Sequence, residues 1–483
     1  MASVAIADSV VNSVSGVWGM MTGDARALAI GGMGGMIGRG IGDMIGRGVG
    51  GMTGASPVTT ILSATAWQGH SAPSIVVTGL APVMVLASLY FLPVCITIVL
   101  GVLFVILIIN LFTFYRLRPH STTQSTAQNT VGPLISVLVP ARDEEQSIER
   151  CVRSLVAQTY ERLEILVLDD HSSDTTAAIV QRIISELPLQ QQGRLRLLQS
   201  DELPLGWGGK NFACHQLAQH ARGDYLFFTD ADTIHDPKMV VSVLDYMQDQ
   251  GVSLLTAQPT YEMNSLGERL IVPLLTFTIL TLLPVALIPV RPEPSLATGN
   301  GQLLCFERSA YTSIGGHESV KNRILEDVLL ARAVKAAGFR MVFVDAQDLV
   351  RCRMYRSFAK VWSGFSKNLF AFYNYALPFA LIGLLLNVLL FIVPPLLVLA
   401  TLFVHLSPAT LLCAVSAYVL AVLMRVLLTL RFTHVQQGRM LLLCFLHPLS
   451  IALECLILLN SIRWHYRKEG TMWKGRWYAT TQK

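Results

Sequence analysis

The stretch Tyr225-Leu226-Phe227-Phe228-Thr229-Asp230-Ala231-Asp232 joins an apolar run to two carboxylates. We predict that the run is a buried strand. Asp230 and Asp232, two positions apart, then leave its carboxyl end on the same side. Ligands bind at the carboxyl ends of strands in open α/β sheets. Carboxylate oxygens suit Mg²⁺ or Mn²⁺ carrying a substrate diphosphate, so Asp230 and Asp232 are the predicted metal ligands.

Strand and helix patterns alternate around this stretch, from residue 134 to about residue 370. The predicted strands are Ile135–Val139, Glu164–Leu168, Arg194–Leu198 and Leu303–Phe306. The predicted helices are Ser147–Gln158, Asp174–Leu187, Asn211–Ala221 and Val328–Ala337. Such alternation is typical of an α/β domain with a mostly parallel sheet covered by helices on both faces.

The composition indicates a membrane protein. Of the 483 residues 52% are hydrophobic and only 14% are charged, against about 25% in soluble domains. The net charge of +5 is small and dispersed, which argues against nucleic acid as a partner. The eight cysteines form neither a zinc pattern nor a disulfide framework.

An apolar segment at 75–115 precedes the α/β domain. Its part 93–114 alone exceeds the roughly 20 residues that a spanning helix needs. Arg116 and Arg118 follow directly, whereas residues 52–93 contain no Lys, Arg, Asp or Glu. The positive-inside rule therefore predicts a multi-pass cell-membrane protein with a cytoplasmic catalytic domain.

Three more apolar blocks lie within 377–462, at Leu377–Leu406, Pro408–Leu430 and Leu441–Leu459. Counting crossings places the basic and aromatic tail at 463–483 outside the cell, whereas its charges favour the inside. Pro394-Pro395 can split the first block and His447-Pro448 can make the last one re-entrant, so the terminal topology stays open. Residues 1–74 form a Gly/Met-rich tail of low complexity, expected to be disordered or loosely membrane-associated.

The uncharged segment 270–290 is also long enough to span, but it contains three prolines. A crossing there would separate Asp230 and Asp232 from Glu326-Asp327, which follow it. If these carboxylates share one site, the segment must lie in the membrane interface or re-enter, and we favour that arrangement.

Two loops after predicted strands carry further acidic residues. Pro140, Ala141 and Glu144 follow the first strand, and Asp170 follows the second. We predict that they line a nucleotide pocket, with Asp170 contacting the base. The alternative is turn and helix-capping chemistry, with Ser173 or Asp174 as the cap.

Lys210 ends a glycine-rich turn that precedes a helix. Glycines let backbone amides approach an anion, and Lys210 can counter phosphate or sugar charge. Glu326 and Asp327 open a later helix, where acidic residues are common. A carboxylate fixed at that position is also well placed to act as a general base.

The ordered set of motifs resembles the family 2 glycosyltransferases over about residues 134–370. The motifs are Pro140-Ala141-Arg142-Asp143-Glu144, Asp169-Asp170, Asp230-Ala231-Asp232 and Glu326-Asp327. Within that family the chain is similar to the ceramide glucosyltransferase-like, hopanoid-associated and carotenoid (diaponeurosporenoate) group. That similarity rests on Gly299-Asn300-Gly301, Gly316-His317, Trp362–Asn368 and Trp473-Lys474-Gly475-Arg476.

The resemblance implies a GT-A fold, a UDP-sugar donor, a lipid acceptor and inversion at the anomeric carbon. It assigns Asp327 as the base and Asp230 and Asp232 to the metal and diphosphate. It also implies that Pro140, Ala141, Glu144 and Asp170 bind uridine. Lys210, Gly299, Asn300, Gly301 and Glu326 are counted with the substrate-binding residues. A carboxylate of ordinary pKa is ionised at pH 7, so Asp327 needs no large shift to accept a proton.

One departure concerns chain elongation. Processive polysaccharide synthases carry Gln-x-x-Arg-Trp after the base, whereas this chain has Trp362-Ser363-Gly364-Phe365 there. This favours the addition of one sugar to a lipid. The alternatives are a processive synthase, a polyprenyl-phosphate sugar transferase using Arg351, Arg353 and Arg356, and a non-catalytic membrane scaffold.

Overall fold

The computed structural model of the protein describes residues 80–119, 132–433, 437–467, 471–473 and 476–478. The low-complexity tail predicted at 1–74, the first residues of the segment at 75–115 and much of the tail at 463–483 lie outside the described residues.

Strands and helices alternate through the middle of the described chain. The strands are β1 (Ile135–Ala141), β2 (Leu163–Asp169), β3 (Leu195–Gln199), β4 (Tyr225–Phe228), β5 (Thr233–His235), β6 (Leu254–Gln258), β7 (Thr260–Tyr261), β8 (Leu304–Glu307), β9 (Met341–Asp345), β10 (Val350–Cys352), β11 (Thr471–Trp473) and β12 (Arg476–Tyr478). The helices up to β9 are α1 (Leu80–Thr113), α2 (Ile148–Val156), α3 (Thr176–Glu186), α4 (Leu189–Gln192), α5 (Gly209–His220), α6 (Met239–Gln250), α7 (Leu266–Ile271), α8 (Pro273–Leu282), α9 (Arg308–Ser313) and α10 (Glu326–Ala336). The later helices are α11 (Phe358–Phe372), α12 (Leu377–Asn387), α13 (Val393–Ala400), α14 (Pro408–Phe432), α15 (Gln437–Cys444) and α16 (His447–Tyr466).

Seven strands form the central sheet in the order β3-β2-β1-β4-β8-β6-β9. Only β8 runs antiparallel to its neighbours, so the predicted mostly parallel α/β sheet is confirmed. All residues of β1 and β2 are buried, as expected for strands covered on both faces.

The side chains of β1 alternate between two hydrophobic cores. Val137 and Val139 belong to the core on one face of the sheet, and Leu138 belongs to the core on the other. Phe227 and Phe228 of β4 divide in the same way. Because side chains alternate along a strand with a period of two, neighbouring residues belong to the cores on opposite faces of the sheet.

Three described helices are long and apolar enough to cross a membrane: Phe91–Thr113, Leu377–Ala400 and Pro408–Phe432. Pro394-Pro395 does not split the second of these, because the π-helical turn Val388–Ile392 leads directly into α13. Gly438–Cys444 and His447–Tyr466 form a bent pair with an angle of 72°. The break falls just before His447-Pro448, where the sequence allows a re-entrant block.

The segment 270–290 is not one continuous helix. It contains α8 and a short 3₁₀ turn at Val285–Leu287. Asn110 of α1, which is fully buried, donates from Nδ2 to the carbonyls of Leu280 and Leu283 at 2.7 and 2.8 Å. The Oδ1 of Asn110 accepts from the Val285 amide at 3.0 Å. These bonds satisfy the backbone where the segment turns, and its place in the membrane interface stays a prediction.

The central sheet is joined directly to two of the apolar helices. After α1, the Leu117 amide donates to the carbonyl of Asp345, and the Asp345 amide donates to Tyr115, both at 2.8 Å. Arg431 of α14 forms a 2.7 Å ion pair with the buried Asp345 carboxylate. Because Asp345 ends β9, the carboxyl edge of the parallel strands lies beside the ends of α1 and α14.

Candidate active site

Lys210 joins carboxylates from two distant parts of the chain. Its Nζ lies 2.7 Å from Asp230 Oδ1 and 3.0 Å from Glu326 Oε1. Lys210 is in the first turn of α5, Asp230 follows β4 and Glu326 opens α10. Burial alone would lower the pKa of Lys210, but the charges of Asp230 and Glu326 outweigh it and raise that pKa well above its ordinary value.

Asp327 is held by backbone amides. Its Oδ2 accepts from the Gly301 amide at 3.0 Å, and its Oδ1 accepts from the Val328 amide at 2.8 Å. A Cβ at Gly299 would lie 2.3 Å from the Asp327 carbonyl oxygen, so only glycine allows this close approach. The glycines predicted to bind substrate thus position the predicted base.

The loop between Gly299 and β8 has further polar contacts. The Asn300 amide donates to Thr256 Oγ1 at 2.9 Å, and its side chain donates to the Tyr261 hydroxyl at 3.1 Å. Gln302 Nε2 donates to Asp230 Oδ2 at 3.2 Å. This loop therefore contacts both the Asp230 and the Asp327 carboxylates.

The pKa of Asp327 is raised to about 7, first by burial and then by the charge of Glu326. The expectation of a base with an ordinary pKa therefore needs correction. The neighbouring carboxylate and the low polarity of the site favour the protonated acid. A carboxylate with this pKa is a stronger base than an ordinary aspartate and is partly ionised at neutral pH.

Asp232 follows Asp230 on the same strand end. Burial and the charges of Asp230 and Glu144 raise the pKa of Asp232 to about 7. Cys352 of β10 donates from Sγ to Asp232 Oδ1 at 3.5 Å. Glu144, predicted from the first loop, therefore lies within electrostatic range of the Asp-Ala-Asp motif.

The predicted metal ligands provide two carboxylates at most. Within the described ranges, no group of three or more His, Cys, Asp or Glu side chains is placed to hold a metal ion. Mg²⁺ commonly binds through one or two carboxylates together with substrate phosphates. The crowded charges at Asp230, Asp232 and Glu144 fit such a shared site, because a divalent cation would relieve their repulsion.

Asp170 occupies the carboxyl end of β2. Its side chain is buried, its amide donates to the Ala141 carbonyl at 2.8 Å, and its Oδ2 lies 3.6 Å from Arg142 Nη1. Pro140 and Ala141 are the last two residues of β1. Asp170 thus lies on the same sheet edge as Asp230, but two strands away from it.

The loops after β1 and β2 are tied to each other. Asp143 Oδ1 accepts from the Ser173 amide at 2.7 Å, and Thr176 Oγ1 accepts from the Glu144 amide at 2.7 Å. Asp174 Oδ1 accepts from the Thr176 amide at 2.9 Å in the first turn of α3. The predicted turn at Asp174 is thus present beside a buried Asp170, but the predicted cap at Ser173 or Asp174 is wrong, because the N-cap of α3 is Thr175 and its side chain makes no capping hydrogen bond.

Sequence reasoning missed three residues that contact the site. Gln302 directly follows the Gly299-Asn300-Gly301 motif, so the sequence did contain a signal that could have indicated its role. Cys352 gave none, because 120 positions separate it from Asp232. Asn211 donates from Nδ2 to the carbonyls of Val320 and Arg323, at 2.7 and 2.8 Å. It thereby fixes the loop that leads to Glu326 against the start of α5.

Residues 136–279 match the family model described as Glycosyl transferase family 2. The 4,4'-diaponeurosporenoate glycosyltransferase of Staphylococcus haemolyticus (strain JCSC1435) is 27% identical over 262 residues, covering 54% of this chain and 64% of that protein. The protein of the same name from Staphylococcus aureus (strain MRSA252) is 24% identical over 239 residues, covering 49% and 60%. This chain thus spans about three fifths of the length of these curated relatives.

Solved structures are also similar. The mannosyltransferase PcManGT from Pyrobaculum calidifontis, in complex with GDP-Man and Mn²⁺, matches with 16% identity and a TM-score of 0.48, covering 78% of this chain and 99% of that chain. Glucosyl-3-phosphoglycerate synthase from Mycobacterium tuberculosis, in complex with Mn²⁺, UDP-glucose and phosphoglyceric acid, matches with 20% identity and a TM-score of 0.36, covering 54% and 88%. Both TM-scores lie below 0.5.

The family 2 glycosyltransferase model matches residues 136–279 of this chain. Together with the mostly parallel sheet covered by helices on both faces, this match bears out the predicted resemblance to that family and to its GT-A fold class.

Proposed function

We propose that this chain is a membrane-bound inverting glycosyltransferase that moves a sugar from a UDP-sugar to a lipid acceptor, using Mg²⁺ or Mn²⁺. The bridge from Asp230 through Lys210 to Glu326, with Asp327 beside it, carries the proposal. The family match, the names of the curated relatives and the apolar helices support it. A carotenoid is the favoured acceptor, and hopanoid and sphingolipid-like lipids belong to the same class.

The donor would lie along the carboxyl edge of the sheet. In this arrangement Pro140, Ala141, Glu144 and Asp170 surround uridine, and the diphosphate lies near Asp230 and Asp232. A divalent metal held by these two aspartates and the diphosphate would supply Lewis-acid stabilisation of the departing UDP. Lys210 would hold Asp230 and Glu326 in place while their charges face the sugar.

The reaction would be a single displacement. The acceptor oxygen forms a bond to the anomeric carbon while the bond from that carbon to the diphosphate oxygen breaks. For a hydroxyl acceptor, Asp327 takes the proton, and its position on the Gly301 amide keeps its carboxylate directed at the site. A carboxylate acceptor has already lost its proton, so Asp327 would then only orient it.

The acceptor would enter from the apolar helices. The ends of α1 and α14 lie beside the carboxyl edge of the sheet, since Arg116 and Arg431 form ion pairs with Asp348 and Asp345 there. A lipid tail held there would bring its polar head to Asp327 on the cytoplasmic side of the cell membrane.

The test is mass spectrometry of lipids from cells with the wild-type chain, with Asp327→Asn or Asp232→Asn, or without the chain. We expect a lipid carrying one added hexose only with the wild type, and loss of transfer in its membranes after metal chelation with recovery on adding Mn²⁺. Full transfer by Asp327→Asn would contradict the base assignment.

Product size separates the alternatives. A digestible polymer would indicate a processive polysaccharide synthase. A sugar attached to a polyprenyl phosphate would indicate a polyprenyl-phosphate sugar transferase. For the latter, Arg353 already lies 3.9 Å from the buried Glu268 carboxylate, which reduces the positive charge available for an acceptor phosphate. Absence of UDP binding by the purified protein would instead favour the scaffold.

A further inference from the structure

A buried polar network contacts the turn Asp230-Ala231-Asp232. His235 of β5 is 3% exposed, Thr229 is 1% exposed and Thr233 is fully buried. The Nε2 of His235 lies 2.9 Å from Thr233 Oγ1 and 3.3 Å from Thr229 Oγ1, and the two hydroxyl oxygens lie 3.0 Å apart. The backbone amide of His235 donates to Ser154 Oγ of α2 at 3.1 Å, which fixes the residue in place. Three polar side chains that are shielded from water therefore share a small number of hydrogens.

Each threonine hydroxyl already has an acceptor for its single hydrogen. Thr233 Oγ1 donates to the Asp230 carbonyl at 2.7 Å, and Thr229 Oγ1 donates to the Gln302 carbonyl at 2.8 Å. Carbonyl oxygens carry no hydrogen, so the hydroxyl is the donor in both bonds. Neither threonine then has a hydrogen left for His235, and the imidazole has to donate from Nε2.

The other ring nitrogen of His235 agrees with this direction of donation. Its Nδ1 is buried and has no hydrogen-bond partner among the residues that the structure describes. Burial lowers the pKa of His235 to about 3, so the ring is neutral at pH 7 and carries one hydrogen. A hydrogen on Nδ1 would lack an acceptor, whereas a hydrogen on Nε2 has two hydroxyl oxygens within reach.

The network reaches Asp230 by two routes. Thr233 holds the Asp230 carbonyl directly. Thr229 holds the Gln302 carbonyl, and Gln302 Nε2 donates to Asp230 Oδ2 at 3.2 Å. Through these two threonines, His235 influences both the main chain and the side chain of Asp230.

We propose that His235 is a positioning residue for the Asp230-Ala231-Asp232 turn, acting as an Nε2–H donor through Thr233 and Thr229. This inference rests on the proposed function, in which the two aspartates face the donor diphosphate. With the Nε2 hydrogen in place, both hydroxyls are free to hold their carbonyls. Without it, the two hydroxyl oxygens lack a donor, so one hydroxyl turns toward the other and releases its carbonyl.

A matched pair of amide variants tests this role. The side-chain nitrogen of Gln reaches the place of the imidazole Nε2, whereas that of Asn reaches only the place of Nδ1. In His235→Asn of the full chain in detergent, the dissociation constant for UDP with Mn²⁺, measured by calorimetry, should rise about tenfold because a buried hydrogen bond is lost. His235→Gln should recover most of the affinity.

Two further measurements address the network itself. The full chain labelled with ¹⁵N-histidine, without ligand, gives ring-nitrogen resonances that differ between the Nδ1–H and Nε2–H forms. The signal absent in His235→Gln identifies His235, and we expect the Nε2–H form. Adding His235→Asn to Thr233→Val should weaken UDP binding no further than Thr233→Val alone, because both changes remove the same hydrogen bond. Thr233→Ser keeps the hydroxyl and should recover most of the affinity.

Four results would overturn the inference. An Nδ1–H form of His235 would remove the proposed donor, and wild-type affinity in His235→Asn would show that the turn does not depend on it. Equal losses of affinity in His235→Asn and His235→Gln, accompanied by equally lowered unfolding temperatures, would indicate a purely structural role. Absence of UDP binding by the wild-type chain would remove the proposed function and the role toward the diphosphate with it, whereas an Nδ1–H form with normal UDP binding would remove this inference alone.

Discussion

The two ends of the proposed substrate pocket are built differently. At the uridine end, hydrogen bonds join the loops after β1 and β2, as between Thr176 and the Glu144 amide. At the sugar end, Asp230, Asp232, Glu326 and Asp327 gather around Lys210, and burial with mutual repulsion raises the pKa of Asp232 and Asp327 to about 7. The first end is held mainly by hydrogen bonds between its loops, whereas the second carries excess negative charge that a metal ion and a substrate would balance.

Removing Lys210 from the sugar end should have the largest effect on both the unfolding temperature and the transfer activity. In Lys210→Met, Asp230 and Glu326 face each other without a cation, and the loss of this partly buried interaction should cost about 1–3 kcal/mol. We expect a lower unfolding temperature in detergent and loss of transfer. The double variant with Glu326→Gln should regain part of the unfolding temperature, and the exposed Lys360→Met serves as the control. An unchanged unfolding temperature in Lys210→Met would show that the carboxylates do not repel each other as proposed.

The pH dependence of kcat/KM should report the raised pKa of Asp327 at the sugar end. With a hydroxyl acceptor, Asp327 must be ionised to accept a proton, so kcat/KM should fall about tenfold per pH unit below about pH 7. Raising the pH through 7 should restore it. In Glu326→Gln the second cause of the shift is gone, so the acidic limb should move to lower pH. A profile that is flat between pH 5 and pH 8 would exclude Asp327 as the base.

The smallest effect is expected at the uridine end. Thr176→Val keeps the shape of this fully buried side chain but removes the acceptor for the Glu144 amide, at a cost of about 1–3 kcal/mol. UDP should bind several-fold more weakly by calorimetry while kcat changes little, because the reacting groups are at the other end. Thr176→Ser retains the hydroxyl and should bind UDP like the wild type. A large loss of kcat in Thr176→Val would mean that the two ends are coupled.

The local sequence pattern was sufficient to predict where the strands lie, because buried parallel strands are short apolar runs with polar residues at their ends. Ile135–Val139 and Glu164–Leu168 lie within the observed β1 and β2. The helix predicted at Asn211–Ala221 begins two residues earlier, at Gly209, so Lys210 is inside its first turn. The acidic motifs Asp230-Ala231-Asp232 and Glu326-Asp327 were predicted to share a site, and the Lys210 bridge joins them.

The segment at 270–290 shows the limit of such reasoning. Its length and lack of charge equally suit a crossing or an interfacial segment. The structure ends α8 at Leu282 and satisfies the following turn with the side chain of Asn110, 170 positions earlier in the sequence than Leu280. No local pattern contains that contact.

The sequence by itself determined the α/β alternation, the apolar helices and the identity of the carboxylates, because these follow from periodicity, hydrophobicity and motif. Only the tertiary structure decided that Lys210 bridges Asp230 and Glu326 and that Cys352 donates to Asp232. Those contacts depend on how strands and helices distant in the chain pack on one another. The same packing raises the pKa of Asp327, since burial and the nearness of Glu326 are properties of the folded site.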